Sequence, residues 1–225
     1  MPMTDGTDHD NRLVTGSVFL SRAQERLTFD VPAALTNPDA IARSDAHNAD
    51  PALLAAIAAV RPIRPAAVLV PVVQRNEPGV LFTGRTARLN DHGGEISFPG
   101  GKIDAGDASP MAAALRESEE EIGLARKFVE PIGYLDIHIT PFGHRILPVL
   151  ALVLPGFTLR LNRDEVEDAF ELPLADLMTS QNHKREILDW NGFPLESYTM
   201  QFGRRKIWGA TAMILRNLYE RVCLG

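Results

Sequence analysis

The chain has 225 residues, 45% of them hydrophobic, a single cysteine and a formal net charge of −6. That length and apolar content suffice for one substantial core near the upper size of a single domain. The charge argues against a general nucleic-acid binder, which needs a basic surface to displace counterions, and the lone Cys223 excludes an internal disulfide or a cysteine-held metal cluster.

Residues 1–12 are polar and acidic, lack the positive region and apolar core of a secretory signal, and are expected to be disordered. No apolar run is long enough to span a membrane, so the expectation is a soluble, cytoplasmic protein. From Ser17 to Asp50 short apolar groups alternate with breakers at Pro32 and Pro38, which allows at most a short helix near Ser21–Leu27. Asp50 and Pro51 then cap a helix over Ala52–Val60. Residues 1–60 thus read as a partly disordered N-terminal extension, packed either on the main domain at 61–225 or on a second subunit, which leaves room for a homodimer.

Ala66–Val73 (AAVLVPVV) is nearly continuous apolar sequence and predicts a buried strand; after a turn at Asn76–Gly79, Val80–Thr83 predicts an antiparallel neighbour. Arg85, Arg88 and His92 follow in a loop, either as surface charge or as contacts for an anion.

The organising stretch is Gly94–Leu124, GEISFPGGKIDAGDASPMAAALRESEEEIGL. Ser109 as N-cap and Pro110 at the first helical position predict a helix that stops at Gly123. On it Met111, Leu115, Ser118 and Ile122 form a core-facing stripe, while Glu117, Glu120 and Glu121 converge on another side, with Arg116 beside them. A solvated acidic face explains such a run. So does a ligand set for a hard divalent cation such as Mg²⁺ or Mn²⁺, and the double-glycine turn and capped start favour the cation.

Further on, Ile132–Ile139 and Ile146–Leu154 predict strands, and the loop between them offers Phe142 and His144 as substrate contacts. Asn162–Glu171 is a second acidic cluster, either a solvated strand or helix start, or the source of a carboxylate, Glu165, that positions water. His183–Leu188 and Ser197–Phe202 predict a hairpin around Asn191-Gly192. A last helix, Ile207–Val222, presents Trp208, Thr211, Leu215, Leu218 and Val222 to a sheet. Together these elements suggest a mixed α/β domain.

Gly94–Leu124 resembles a Nudix box, G-x5-E-x7-R-E-U-x-E-E-x-G-U with U aliphatic, through Gly101, Arg116, Glu117, Glu120, Glu121, Gly123 and Leu124. Asp107 stands where the first glutamate is expected, with one extra residue between it and Arg116, and Ser118 replaces the first aliphatic. Leu81–Gly101 is similar to the second signature of the coenzyme A pyrophosphatase branch, matching at Leu81, Thr83, Arg85, Gly94, Phe98, Pro99, Gly100 and Gly101. Asn90 occupies the place of that signature's second arginine.

The resemblance implies a Nudix-type α/β/α sandwich with a mixed sheet. It also implies metal-dependent hydrolysis of a pyrophosphate bond in a nucleoside diphosphate derivative, foremost coenzyme A or an acyl-CoA, giving 3′,5′-ADP and (acyl-)4′-phosphopantetheine. Mg²⁺ or Mn²⁺ would be held by Glu117, Glu120, Glu121 and the Gly101 carbonyl. Arg116 would orient a glutamate, Glu117 or Glu165 would serve as base, and Arg85, Arg88, His92 and Phe98 would meet the small nucleotide substrate. ADP-ribose, dinucleotides and nucleoside triphosphates are alternative substrates, and a non-catalytic nucleotide-sensing module is the alternative of another class.

Overall fold

The apolar run that opens the domain becomes the central strand because it has a core on both sides. Side chains alternate across a strand, and in β1 (Arg64–Val73) Leu69 and Val73 enter one apolar cluster while Val70 and Val72 enter the other. The computed structural model describes residues 16–37, 40, 55–56, 59–60, 62–86 and 95–224.

β1 pairs antiparallel with β2 (Gly79–Arg85) and, at its first half, with the short β4 (Gly100–Lys102). On its other edge it runs parallel to β7 (His144–Val153) along its whole length. β3 (Ile96–Ser97) and β8 (Val166–Pro173) extend the sheet from β2, and β5 (Val129–Tyr134) and β6 (His138–Ile139) extend it from β7. The result is a mixed sheet among the described residues. The single strand expected over Ile132–Ile139 is broken into two pieces, with a register shift between Pro131 and Gly133.

One face is covered by α2 (Pro110–Ile122), which buries Ala113, Ala114, Ser118 and Ile122 against Ala67, Leu69, Leu147 and Val149. Ser118 stands at an aliphatic position with its buried hydroxyl satisfied, since it donates to the Ala114 carbonyl at 2.7 Å. The other face is covered by α1 (Gly16–Arg26), the short α3 (Leu174–Leu177) and α4 (Gly209–Tyr219), through Phe19, Ala23, Leu174, Leu177, Leu215 and Leu218. Helices on both faces of a mixed sheet make the α/β/α sandwich.

A second, antiparallel sheet consists of β9 (Lys184–Trp190), β10 (Phe193–Phe202) and β11 (Arg205–Trp208). Asn191 and Gly192 join β9 to β10 with φ of 53° and 85°, the pair of positive values that an Asn-Gly hairpin turn requires. α4 starts two residues later than expected, and Trp208 does not lie on its apolar face. The residue is extended and exposed at the end of β11, because Gly209, with φ of 59°, separates strand from helix.

Residues 16–37 are no appendage. The helix expected near Ser21–Leu27 begins at Gly16, Arg26 donates to the Val222 carbonyl at 3.0 Å, and the Tyr134 amide donates to the Thr28 carbonyl at 2.8 Å. The buried Arg145 guanidinium of β7 caps the carbonyls of Ala34 and Asn37. The helix expected over Ala52–Val60 lies mostly outside the described residues, as do residues 1–12. No described helix is long and apolar enough to cross a membrane.

The ends of α2 are set locally. Ser109 accepts from the Ala112 amide at 3.1 Å, Pro110 takes the first helical position, and Gly123 closes the helix in the left-handed region at φ 68°, its amide bonded to Glu119. A Cβ on Gly123 would stand 2.9 Å from the Arg160 amide nitrogen. Gly123→Ala should therefore lower unfolding free energy by about 1–2 kcal/mol or more, read as a shift of the denaturant midpoint; an unchanged midpoint would show that neither the φ nor the close approach matters.

Candidate active site

α2 delivers Arg116, Glu117, Glu120 and Glu121 to the edge of the sheet, and β4 decides what surrounds them. Gly100 has φ of 148°, and any side chain there would run into the Ala67 carbonyl of β1. At Gly101 a Cβ would lie 2.6 Å from the Glu117 carboxyl carbon, so only glycine lets that carboxylate rest against the strand. The Gly100 amide donates to Glu121 Oε2 at 3.1 Å.

One guanidinium gathers the acids. Arg116 Nε and Nη2 donate to the two oxygens of Asp107, each at 3.0 Å, in the paired geometry that favours arginine over lysine. Its Nη1 donates to Glu117 Oε1 at 2.8 Å and Glu120 Oε2 at 3.1 Å, and Nη2 also reaches the Lys102 carbonyl at 3.2 Å. Asp107 is thus the partner that locks Arg116. Its side chain is short, but the loop turns it inward: Asp107 Oδ2 accepts from the Asp104 amide at 2.9 Å, and the Asp107 amide donates to the Asp104 carbonyl. These bonds, foremost those from Arg116, hold the Asp107 carboxyl down at about 2.

The other acids are pushed the opposite way. Burial raises Glu121 to about 7, against the Gly100 hydrogen bond and the charge of Arg85, with Glu165 and Glu117 adding repulsion. Glu117 is raised as well, first by burial, with Glu120 and Glu165 repelling it and Arg116 opposing. Glu121 is only 6% exposed, which a solvated acidic face would not give.

Glu165 and Arg85 reach this site through strand pairing. Antiparallel β2 and β8 set Arg85 opposite Val166, and the Thr86 amide donates to the Glu165 carbonyl at 3.0 Å. The segment before β8 docks on the end of α2, with the Arg160 and Asn162 amides donating to the Ile122 and Glu121 carbonyls at 2.8 Å each. Glu165 is exposed, and its Oε1 accepts from Asn162 Nδ2 at 3.2 Å. Arg85 carries a buried Nε with no hydrogen-bond partner among the described residues.

The expected convergence of three glutamates on one volume is not what the side chains adopt. Glu117 and Glu120 are both turned onto Arg116, Glu120 is 58% exposed, and among the described residues no group of three or more His, Cys, Asp or Glu stands ready to hold a metal ion. The donor chemistry nonetheless fits a hard divalent cation. Arg116 takes one oxygen each of Glu117 and Glu120, leaving the second oxygens, and the half-buried Glu117 and buried Glu121 repel each other and Glu165.

Phe98 is a correction. It is 3% exposed and stacked on Phe82 with centroids 5.1 Å apart, which makes it a core residue and not a substrate contact. Arg88, Asn90 and His92 lie outside the described residues. Phe142 is 66% exposed, and His144 opens β7 with its ring Nε2 3.5 Å from Arg64. Sequence reasoning missed the locking role of Asp107, although its place at the expected acidic position of the box was a usable signal.

The NUDIX domain family model matches residues 63–191. Proteins named "Uncharacterized Nudix hydrolase NudL" from Citrobacter koseri and Escherichia coli strain K12 are each 41% identical to this chain over 159 residues, covering 69% of this chain and 81% of the relative. A MutT NUDIX hydrolase structure from Burkholderia pseudomallei aligns at 20% identity with a TM-score of 0.43, covering 70% of this chain and 98% of the other.

The raised Glu121 carries a pH signature. Because its folded value of about 7 exceeds the ordinary 4.5, its contribution to stability is complete below 4.5 and is lost as pH rises through 7. In EDTA, Glu121→Gln should melt above the native protein at pH 8, and the gap should close near pH 5. A gap of equal size at both pH values would contradict the burial of a titrating carboxylate there.

Proposed function

The chain belongs to the Nudix family and is a pyrophosphohydrolase, and we propose that its substrate is coenzyme A or an acyl-CoA, cleaved to 3′,5′-ADP and (acyl-)4′-phosphopantetheine. The observation that carries the substrate is the run Leu81–Gly101, in which Leu81, Thr83, Arg85, Gly94, Phe98, Pro99, Gly100 and Gly101 match the coenzyme A-type signature. Arg85 supports it, since an arginine with an unpartnered Nε beside the acidic cluster suits a phosphate oxygen.

Glu117, Glu120, Glu121 and the Gly101 carbonyl would hold the Mg²⁺ or Mn²⁺ that Nudix hydrolases generally use. Bound there, the ion supplies Lewis acidity toward the diphosphate and a more acidic water. The protein's own groups do the rest. Arg116, locked by Asp107, fixes one oxygen each of Glu117 and Glu120 and leaves the second unclaimed by the guanidinium. Arg85, close enough for its charge to act on Glu121, would offset the charge of a phosphate oxygen.

A water oxygen bonds to one phosphorus, the bridging P–O bond breaks, and the water proton passes to a carboxylate. Glu165 is suited to receive it, because Asn162 holds Oε1 and leaves Oε2 free to accept. Glu117 is the other candidate, its affinity for a proton raised by burial.

Incubation with coenzyme A, ADP-ribose and NADH in Mg²⁺ or Mn²⁺, with products identified by mass spectrometry, tests this directly. Coenzyme A should yield 3′,5′-ADP and 4′-phosphopantetheine, and EDTA should abolish the yield. Turnover of ADP-ribose or NADH with coenzyme A left intact would remove the substrate assignment.

A further inference from the structure

A cleft of about 660 Å³ adjoins the acidic cluster, walled by Arg85 and Asp168 on one side and by Arg204, Arg205, Lys206 and Trp208 on the other. The second wall is β11 and the turn before it. That strand is seated over the main sheet by Ile207, which is fully buried, and by Thr211 of α4, whose hydroxyl donates to the Ile96 carbonyl of β3 at 3.0 Å. Alternation along β11 then sends Lys206 and Trp208 to the face opposite Ile207.

The basic residues here do different jobs. Arg205 is part of the wall, since it pairs with Asp168 at 2.7 Å and lies 3.3 Å over the Phe170 ring. Arg204 and Lys206 are exposed and pair with no acid among the described residues. Trp208 is 46% exposed, a large ring left open at the rim. Four cations line the cleft against Glu167 and Asp168, in a chain whose net charge is −6. Arg85 belongs to both places, because it lines the cleft and its charge also bears on Glu121.

A diphosphate held at the acidic cluster does not account for two unpaired cations on the opposite wall. They call for a second anionic group on the same ligand, and the open indole calls for a flat ring near it. The volume lies in the range of small-molecule sites, about 300–1,000 Å³.

We propose that this cleft is the subsite for an adenosine carrying a ribose phosphate, with Trp208 covering the base, Arg204 and Lys206 taking the ribose phosphate, and Arg85 bridging to the diphosphate. The inference rests on the nucleoside diphosphate reading above and narrows it to ligands with a phosphate outside the diphosphate. The ribose phosphate has two sources, the 3′ position, as in coenzyme A, and the 2′ position, as in phosphorylated dinucleotides.

The test measures binding without turnover. In Trp190→Phe protein, which leaves Trp208 as reporter, 3′,5′-ADP, 2′,5′-ADP and 5′-AMP are titrated in EDTA, with calorimetry on the native chain as a check. One bisphosphate should quench Trp208 and bind about 10-fold or more tighter than 5′-AMP, and the preferred isomer identifies the source. The double variant Arg204→Ala/Lys206→Ala, its fold checked by circular dichroism, should lose that advantage.

Equal affinity for all three nucleotides, or an advantage kept by the double variant, would overturn the proposal. Protein that shows the selectivity yet leaves coenzyme A uncleaved would keep the cleft and remove the substrate assignment. Cleavage of coenzyme A without the selectivity would do the reverse.

Discussion

The site depends on one side chain being able to hold several acids at once. Arg116 does so because a guanidinium presents five donors in a rigid fork: two go to Asp107, and one edge reaches both Glu117 and Glu120. An ammonium at the same place would offer a point charge and no fork. The arrangement also divides the acids into two kinds. Asp107 spends both oxygens on its partners and is held firmly charged, whereas Glu117 and Glu121 are desolvated, repel one another and are ready for a further cation or a proton.

The fold supplies what α2 alone lacks. β4 brings two glycines against the helix, which buries Glu121 and seats Glu117, and the chain from Arg160 to Glu165 docks on the other end of α2 before entering β8. Pairing of β8 with β2 then sets Glu165 and Arg85 at the same end of the sheet. Carboxylates and an arginine thus come together from elements far apart in sequence. The small sheet that carries β11 extends the same edge with a basic wall, so the acidic and basic surfaces meet at Arg85.

Much of this was readable in the sequence wherever local chemistry decides the outcome. Ser109, Pro110 and Gly123 gave the limits of α2, Asn191-Gly192 the hairpin, and the run at Ala66–Val73 the central strand. What depends on approach between distant segments was not readable. Glu120 and Glu121 are neighbours on a helix, yet one is exposed and the other is buried where β4 and the segment before β8 close on the helix. Phe98 lies in a motif otherwise concerned with the site, but its ring packs into the core. Trp208 continued an apolar helical pattern on paper, and the positive φ of Gly209 puts it on a strand facing a cleft. Residues 16–37 carried too few apolar groups to reveal that they enter both apolar clusters, Phe19, Ala23 and Leu27 one and Ala34 and Leu35 the other.

The central claim is that the Arg116 fork presents the free oxygens of Glu117 and Glu120 to a divalent cation, and binding of Mn²⁺ followed by electron paramagnetic resonance tests it most directly. Arg116→Lys, with its circular dichroism unchanged, should bind Mn²⁺ about 10–100-fold more weakly than the native protein. Native affinity in that variant would contradict the account, because the acids would then assemble around the ion without the fork.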